Sequence, residues 1–264
     1  MRRKKNIRYF CLLTDFGTID PYIAEMKGRI YSSIPNAMVI DLSHEIESQN
    51  VLQGALFLER MWDFWDVPSI HIAVVDPGVG TSREILIVKD RDKYLICPNN
   101  GLATSVLCRN NIEIRELLVQ KMPNISDISK TFHGRDIMVP AGIEIAKGAD
   151  WKKISKEISN PKILEIPKPV VGKRSLIGEV IYIDKFGNAI TNIKRIHIGN
   201  KKIRYATVEG KKERIPFANT YGEVGKGEPL CLFGSADRLE ISINCDSAKD
   251  KLKISTGTRV KVAI

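Results

Sequence analysis

The sequence lacks several features that would assign it to a class at once. No apolar run among its 264 residues approaches the ~20 that a membrane span requires, so we expect no membrane insertion. The five cysteines form no C-x-x-C pair and show no paired His-Cys spacing, which argues against a disulfide framework and against a metal site. There is also no internal repeat and no low-complexity tract. A hydrophobic fraction of 43% and a charged fraction of 27% then indicate a globular protein with a substantial core.

Aromatic residues are few, at 7%, and this bears on the net charge of +10. Clustered Lys and Arg would favour nucleic-acid binding, because they neutralise phosphates. Here the basic residues are spread in pairs along the chain, without an aromatic stacking surface or a known binding motif. We therefore expect no nucleic-acid partner.

The N-terminal residues MRRKKN are basic, as in the leader of a signal peptide. The apolar run that follows them is short and has no small-residue cleavage site. The sequence therefore predicts a cytoplasmic protein.

The first part of the chain alternates between buried strands and helices. A strand is predicted at residues 70–75, where the apolar run alternates too little for a half-exposed strand and is typical of a parallel one. Helices are predicted after Asp20 as N-cap with Pro21 at the first helical position, after Asn50 as N-cap, and over 136–147. The other strands predicted here are residues 7–14, 38–42, 85–89 and 94–97. This alternation predicts an α/β domain over residues 1–160, with a mostly parallel sheet and flanking helices.

The composition changes at residues 161–173, where three prolines indicate an extended linker. Short strands separated by turns follow, so residues 174–264 are predicted to form a smaller all-β, barrel-like domain. Its strands are predicted at residues 177–183, 189–193, 203–208, 229–233, 239–243 and 259–264.

The segment AVVDPGVGTSR, residues 73–83, delivers a carboxylate from a buried strand into a glycine-rich turn. Ligands of open α/β sheets bind beyond the carboxyl ends of strands, so Asp76 is well placed to meet one. The alternative is that Asp76 only caps the turn and Arg83 pairs with it on the surface.

Three other loop segments carry polar side chains beside turn residues. In TDFGTIDPY, Asp15 ends the first strand, where a carboxylate can accept both ribose hydroxyls or simply form a turn. In TFHGRD, His133 can orient water or accept its proton, whereas Arg135 and Asp136 are expected to pair and cap the helix. His44, His71 and His197 are weaker candidates.

The fourth segment is YIDKFGNAITN, residues 182–192. Asp184, Phe186 and Asn188 supply a charge, a ring for stacking and an amide, which suit an aminoacyl group and an adenine. The alternative is that residues 184–187 form only a hairpin turn.

Together these segments resemble the S-adenosylmethionine (SAM) hydroxide adenosyltransferase family, relatives of the SAM-dependent fluorinase and chlorinase. The motifs that carry the resemblance, in order, are TDFG, DPYIAEMKG, DLSHEI, VVDPGVGTSR, PNNGL, FHGRD, IDKFGNAITN and the late FGS. The resemblance spans almost the whole chain.

The resemblance implies an enzyme that splits SAM with water into adenosine and L-methionine, with SAM as substrate and no cofactor. It implies a catalytic set of Asp76, Arg83 and His133, and a homotrimer whose active sites lie between the first domain of one subunit and the barrel of the next. The substrate contacts that it implies are Asp15, Asp20, Pro21 and Tyr22 at the ribose, Asp184 at the methionine ammonium, Ser235 at the methionine carboxylate, Asn188 and Asn244 at adenine, and Phe186 and Tyr221 stacking on adenine.

The chain departs from the family pattern at two places: PNNGL has Asn99 where a carboxylate is expected, and residues 244–248 are NCDSA in place of NQGNA. Two other functions remain open. One is a SAM- or adenosine-binding regulator with negligible turnover, and the other is halide-dependent adenosyl transfer, which the catalytic set disfavours.

Overall fold

The structure is a computed structural model that describes residues 7–123 and 127–264. The basic N-terminal segment MRRKKN lies outside the described residues. The chain divides into two compact units between Glu165 and Ile166, and each unit is described by itself. In the described part of the chain, no helix is both long and apolar enough to cross a membrane.

Among its described residues, the first unit contains a seven-stranded sheet and four α-helices. Its strands are β1 (Tyr9–Thr14), β2 (Met38–Ser43), β3 (Ser69–Val74), β4 (Ile85–Asp90), β5 (Lys93–Pro98), β6 (Ile112–Leu117) and β7 (Ser155–Glu157). Its helices are α1 (Tyr22–Ser33), α2 (Val51–Trp62), α3 (Thr104–Leu107) and α4 (Val139–Ala146), and a π-helical turn, Gly134–Met138, precedes α4.

The strand order is β2-β1-β3-β5-β4-β6-β7, and the sheet is mixed. The pairs β1 with β2, β1 with β3, and β3 with β5 are parallel, as predicted for the buried strand at 70–75. The pairs from β5 through β4 and β6 to β7 are antiparallel. The prediction of a mostly parallel sheet is therefore only partly confirmed.

The antiparallel half arises because β4 and β5 are joined by a hairpin, not by a crossover helix. Only Arg91 and Asp92 separate the two strands, and Arg91 has the positive φ of 55° that such tight turns require. Strands β6 and β7, which extend this half, were not predicted.

The ends of the helices follow the sequence signals unevenly. Asn50 caps α2 through a 2.9 Å bond from the Gln53 amide, as predicted. Gly148 follows α4 with a φ of 86°, a backbone angle that favours glycine. The predicted cap at Asp20 is wrong: α1 begins at Tyr22, and its N-cap position is Pro21, which makes no side-chain cap. The predicted helix over 136–147 is a π turn followed by α4.

Apolar side chains pack on both faces of this sheet. One core joins Phe10, Ile72 and Val74 to Met26 of α1 and to α4. The other joins Leu13, Ala73 and Val75 to Leu58 and Trp62 of α2. Because the central strands are covered on both faces, polar groups at their carboxyl ends are the ones that reach solvent.

The second unit is all-β and barrel-like, as predicted, and its antiparallel sheet has eight strands, two more than the six predicted. The strands are β8 (Val170–Val171), β9 (Ser175–Ile183), β10 (Ala189–Lys194), β11 (Tyr205–Val208), β12 (Ile215–Pro216), β13 (Pro229–Phe233), β14 (Arg238–Ile243) and β15 (Arg259–Ala263). The order is β12-β11-β15-β9-β10-β14-β13, with β8 beside β9. A bridge between Phe217 and Cys231 brings the two ends together, so the sheet nearly closes around its core. The short helices α5 (Arg195–Ile198) and α6 (Ala248–Leu252) lie between strands.

Candidate active site

The candidate site of the first unit lies at the switch point of the sheet, where successive strands are added on opposite sides of β1. From β1 the chain passes to β2 on one side, and β3 and β5 add on the other side. Thr14 at the end of β1 pairs with Val74 at the end of β3, so the loops that carry Asp15 and Asp76 leave the same edge. This is the position at which open α/β sheets bind ligands.

Three predicted residues meet at this edge. Arg83 Nε lies 2.9 and 2.8 Å from the two carboxylate oxygens of Asp76, and its Nη2 also pairs with Asp76. The same Nη2 lies 3.1 Å from Nδ1 of His133. The side chains of Asp76 and Arg83 are only 3% and 10% exposed, so their interaction is not the surface pair of the alternative interpretation.

The contact with Arg83 determines which ring nitrogen of His133 carries the proton. A guanidinium only donates hydrogen bonds, so Nδ1 of His133 must accept, and the proton of the neutral ring is on Nε2. Burial lowers the pKa of His133 below its usual range, and the Arg83 charge lowers it further against the opposing effect of Asp76 and Asp136. His133 therefore presents an N–H donor at neutral pH.

The glycine-rich turn holds Asp76 in place. The Gly78 amide donates to Asp76 Oδ1 at 3.3 Å. Gly80 has a φ of 80°, and a Cβ there would lie 2.5 Å from the Lys130 carbonyl oxygen. Only glycine satisfies both the backbone angle and the close approach.

Asn100 and Cys97 belong to the surroundings of this cluster, although the sequence analysis gave them no role. The Asn100 side-chain amide donates to the Val75 carbonyl at 2.7 Å, immediately before Asp76. Cys97 is fully buried, and burial together with the charge of Asp76 raises the pKa of its thiol. The motif PNNGL was the available signal for Asn100, but its partner is set by the pairing of β3 with β5.

The ribose-assigned residues lie on the loop after β1. Asp15 Oδ2 accepts the Gln49 amide at 2.7 Å, while Asp20 and Pro21 are exposed. Tyr22 packs with Phe16 and Phe132 in edge-to-face contacts, with ring centroids 5.4 to 5.8 Å apart.

His44, a weaker candidate, supports this loop. Its Nδ1 lies 2.9 Å from the Thr14 hydroxyl, its Nε2 lies 3.0 Å from Asp41, and its carbonyl accepts the Gly17 amide at 2.8 Å. Because Thr14 is fully buried, this chain of contacts holds the loop and does not expose a nucleophile.

His71 and His197 are placed away from the cluster. His71 is buried inside β3, as expected, and burial lowers its pKa to about 3. His197 lies in α5 of the second unit, where its Nδ1 accepts the Lys194 amide at 2.9 Å.

In the second unit, Asp184 organises the turn between β9 and β10. Its Oδ1 accepts the amides of Phe186 and Asn188, and its Oδ2 accepts the Asn188 side-chain amide, all at 2.9 Å. Residues 184–187 thus form the hairpin turn between β9 and β10, and the same bonds orient the Asn188 side chain. The bond to Asp184 Oδ2 uses one of the two hydrogens of the Asn188 side-chain nitrogen, and the side-chain oxygen takes no part in it.

A cavity of about 590 Å³ lies beside this turn. Four predicted adenine contacts line it: Phe186, Asn188, Tyr221 and Asn244. The lining is completed by Ile243, Cys245, Asp246 and Ser247. Phe186 is 76% exposed, so its ring is open to a stacking partner. An aromatic ring beside amide groups suits a flat heterocycle with polar edges.

Tyr221 is held by a carboxylate that the sequence analysis missed. Its hydroxyl donates to Glu240, a buried residue of β14. Burial and the Glu240 contact raise the pKa of Tyr221. Ser235, the remaining predicted contact, is exposed in the loop between β13 and β14 and does not line the cavity.

Two family models match the chain, one for each unit. The SAM hydroxide adenosyltransferase N-terminal domain matches residues 10–155, and the C-terminal domain of the same family matches residues 178–261.

Two proteins named (R)-S-adenosyl-L-methionine hydrolase align over nearly their whole length. The one from Thermus thermophilus is 32% identical over 95% of this chain and 97% of its own, and the one from Methanocaldococcus jannaschii is 34% identical over 92% and 91%. A fluorinase from an Actinoplanes species is more distant, at 24% identity over 95% of each chain.

A crystal structure of an uncharacterised conserved protein from Thermotoga maritima superposes with a TM-score of 0.88 at 31% identity. It covers 97% of this chain and 100% of its own. With both domains matched in order and the motifs placed at a strand edge and a barrel cavity, the chain belongs to the SAM hydroxide adenosyltransferase family.

Proposed function

We propose that this protein hydrolyses S-adenosyl-L-methionine to adenosine and L-methionine, by attack of water at C5′ of the ribose. The observation that carries the proposal is the Asp76–Arg83–His133 cluster at the carboxyl end of β3. The names of the hydrolase relatives supply the substrate class.

The reaction requires activation of the water nucleophile, and it requires no general acid to protonate the leaving group. The oxygen of water bonds to C5′ while the C5′–S bond breaks, and its electron pair stays on sulfur. Methionine thus leaves as a neutral thioether, and water releases one proton. Because the sulfonium needs no further activation, we propose that no cofactor takes part.

Each of the three residues then has a separate role toward the attacking water. Asp76 accepts a hydrogen bond from water and takes up its proton as the C–O bond forms. Arg83 fixes the carboxylate through Nε and Nη2, and its charge favours developing hydroxide character. His133, protonated on Nε2, donates to the water oxygen and orients a lone pair toward C5′.

The substrate contacts are assigned by the same proposal. Asp15, Asp20, Pro21 and Tyr22 face the ribose, and the barrel cavity takes the adenine between Phe186 and Tyr221, with Asn188 and Asn244 at its polar edge. Asp184 and Ser235 bind the ammonium and carboxylate of methionine. We further propose a homotrimer in which the first unit of one subunit and the barrel unit of the next form each site, and we place the protein in the cytoplasm.

Product analysis tests the function directly. The purified protein is incubated separately with SAM of each sulfonium configuration, since the names of the relatives specify the (R) form. Adenosine and methionine should appear in equal amounts, and in oxygen-18 water the label should be in adenosine.

Other products would contradict the proposal in distinct ways. Unlabelled adenosine would exclude water as the nucleophile at C5′. Chlorinated adenosine formed only with chloride would establish halide-dependent transfer. Tight binding of both configurations without product would establish a binding protein.

A further inference from the structure

The residues around His133 are held by a side-chain network that the proposed mechanism does not use. Arg135 Nε and Nη2 each donate at 2.8 Å to one carboxylate oxygen of Asp136. Arg135 Nη1 pairs with Glu25 of α1. The guanidinium also lies over the ring of Phe132, 4.8 Å from its centroid. Arg135 thus links Phe132 and Asp136, which lie on either side of His133, to Glu25 of α1.

The carboxylate at the centre of this network is almost inaccessible to water. The side chain of Asp136 is only 4% exposed, and besides Arg135 it accepts the Ser129 amide at 3.0 Å. A buried carboxylate requires such donors, and the Arg135 contact keeps the pKa of Asp136 below its usual range. The predicted pairing of Arg135 with Asp136 is confirmed. Each of the two side chains has a further partner: Glu25 of α1 for Arg135, and Ser129, in the loop before His133, for Asp136.

The backbone explains why His133 needs this support. His133 directly precedes the π-helical turn Gly134–Met138, a rare conformation that is found mostly at functional sites. Relaxation to a regular α-helix would shift the register by one residue, which turns a side chain by roughly 100° about the helix axis. On the other side, a Cβ on Gly134 would lie 3.2 Å from Val74 of β3. The imidazole reaches Arg83 only while this turn is maintained.

We propose that Arg135 is a positioning residue: its links to Glu25, Asp136 and Phe132 hold the π turn so that Nδ1 of His133 accepts from Arg83 and Nε2 keeps the proton. Arg135 does not itself act on water or substrate. The kinetic part of this inference rests on the proposed function, whereas the effect on His133 does not.

Arg135→Lys tests the inference because it keeps the charge and removes the planar fork. The matched control is Arg115→Lys, since Arg115 also lies over an aromatic ring, Trp151, and pairs with a carboxylate, Glu157, but belongs to β6. Nitrogen NMR of His133, assigned with His133→Asn, reports the tautomer and the pKa. In Arg135→Lys the Nε2–H form should lose its dominance and the pKa should move toward ~6.5, while Arg115→Lys leaves both unchanged.

A kinetic cycle gives the second measurement. Arg135→Lys should lower kcat about tenfold with little change in KM, and should cost nothing further in the His133→Asn background. An unchanged tautomer and pKa, or an equal loss of kcat in both backgrounds, would overturn the inference. If Arg135→Lys does not fold, Glu25→Gln, which weakens only the link to α1, takes its place in both measurements. If the wild type does not hydrolyse SAM, the NMR result alone decides.

Discussion

Asp76 is the residue on which the proposed chemistry depends most directly. It is the carboxylate at the carboxyl end of β3, it is buried, and both its oxygens face Arg83. Asp15, at the end of the neighbouring strand, has one oxygen engaged by the Gln49 amide and is assigned to the ribose. The two carboxylates should therefore affect different kinetic constants.

Asp76→Asn keeps the size of the side chain and removes its charge. We expect kcat to fall by roughly a hundredfold while SAM still binds, because the acceptor of the water proton is lost. Asp15→Asn, the comparison variant, should mainly raise KM. Steady-state kinetics with calorimetric binding separate the two effects. An Asp76→Asn enzyme with wild-type kcat would rule out the water site.

The pH dependence follows from His133. Its pKa is lowered by burial and by Arg83, so the neutral ring that accepts from Arg83 persists below the usual imidazole value of ~6.5. We expect kcat/KM to stay level from neutral pH down past ~6.5 and to fall in more acidic solution as the ring gains a proton.

The contribution of His133 to folding stability changes with pH in the same direction as kcat/KM. Because the folded-state pKa is depressed, the unfolded chain binds the proton more readily, and stability is present above the unfolded pKa and lost as the pH falls through the folded one. His133→Asn should remove the acidic limb of the kcat/KM profile and should reduce, without abolishing, the loss of stability in acid, because carboxylates such as Asp136 contribute with the same sign. An acidic limb of kcat/KM that survives this substitution would assign the kinetic titration to another group.

Sequence motifs singled out these residues but did not reveal their partners. Asp76 and Arg83 stand in one glycine-rich segment, so their pairing could be anticipated. The tautomer of His133, the bond from Asn100 to Val75 and the bond from Tyr221 to Glu240 could not. Each depends on a neighbour brought close by strand register or by a covering turn, which single-sequence patterns do not contain.

At the scale of elements, the DPGVG turn links the end of β3 to the loop before His133. Gly80 combines a positive φ with a Cβ position 2.5 Å from the Lys130 carbonyl oxygen. Gly17 also has a positive φ, of 66°, but nothing lies within 4 Å of its Cβ position. A comparison of Gly80 with Gly17 therefore separates the cost of backbone strain from the cost of a steric conflict.

Gly80→Ala should lower the free energy of unfolding by more than Gly17→Ala does. The strain alone costs about 1 kcal/mol, and the contact with Lys130 should bring the total to ~2–3 kcal/mol. Urea unfolding of the two variants measures the difference. Equal losses in both would show that the loop around Lys130 moves away at no cost.

Element boundaries show where pattern reasoning failed. Alternation of strands and helices predicted a mostly parallel sheet, but a two-residue hairpin at Arg91 makes β4 and β5 antiparallel. Asp20 has the chemistry of a cap, yet Pro21 occupies the N-cap position of α1. The first difference comes from a tight local turn, and the second is a shift of one residue at the start of the helix.

At the scale of the whole molecule, the proposed site residues fall into two groups. Asp76, Arg83 and His133 belong to the first unit, and Asn188 and the cavity belong to the barrel unit. The family match covers both units in order. The sequence motifs identified both groups, whereas subunit assembly depends on surfaces that the motifs do not describe.

The shared-site trimer makes a quantitative prediction about mixed subunits. Asp76→Asn removes the water site of the first unit, and Asn188→Ala removes an amide that lines the barrel cavity. In a closed ring with sites between subunits, a working site forms wherever an Asn188→Ala subunit contributes its intact first unit and an Asp76→Asn subunit its intact barrel. Random co-assembly of equal amounts should then restore about one site in four.

The measurement is the specific activity of co-refolded variants, with the mass of the assembly determined by light scattering. Each variant refolded alone is the control for residual activity, and the double variant Asp76→Asn/Asn188→Ala mixed with wild type shows the effect of dilution. Recovery near a quarter of wild-type activity requires that a site draws on two chains. If the mixture shows only the mean of the two parents, each chain forms its site alone, and the trimer proposal fails while the assignment of the catalytic residues stands.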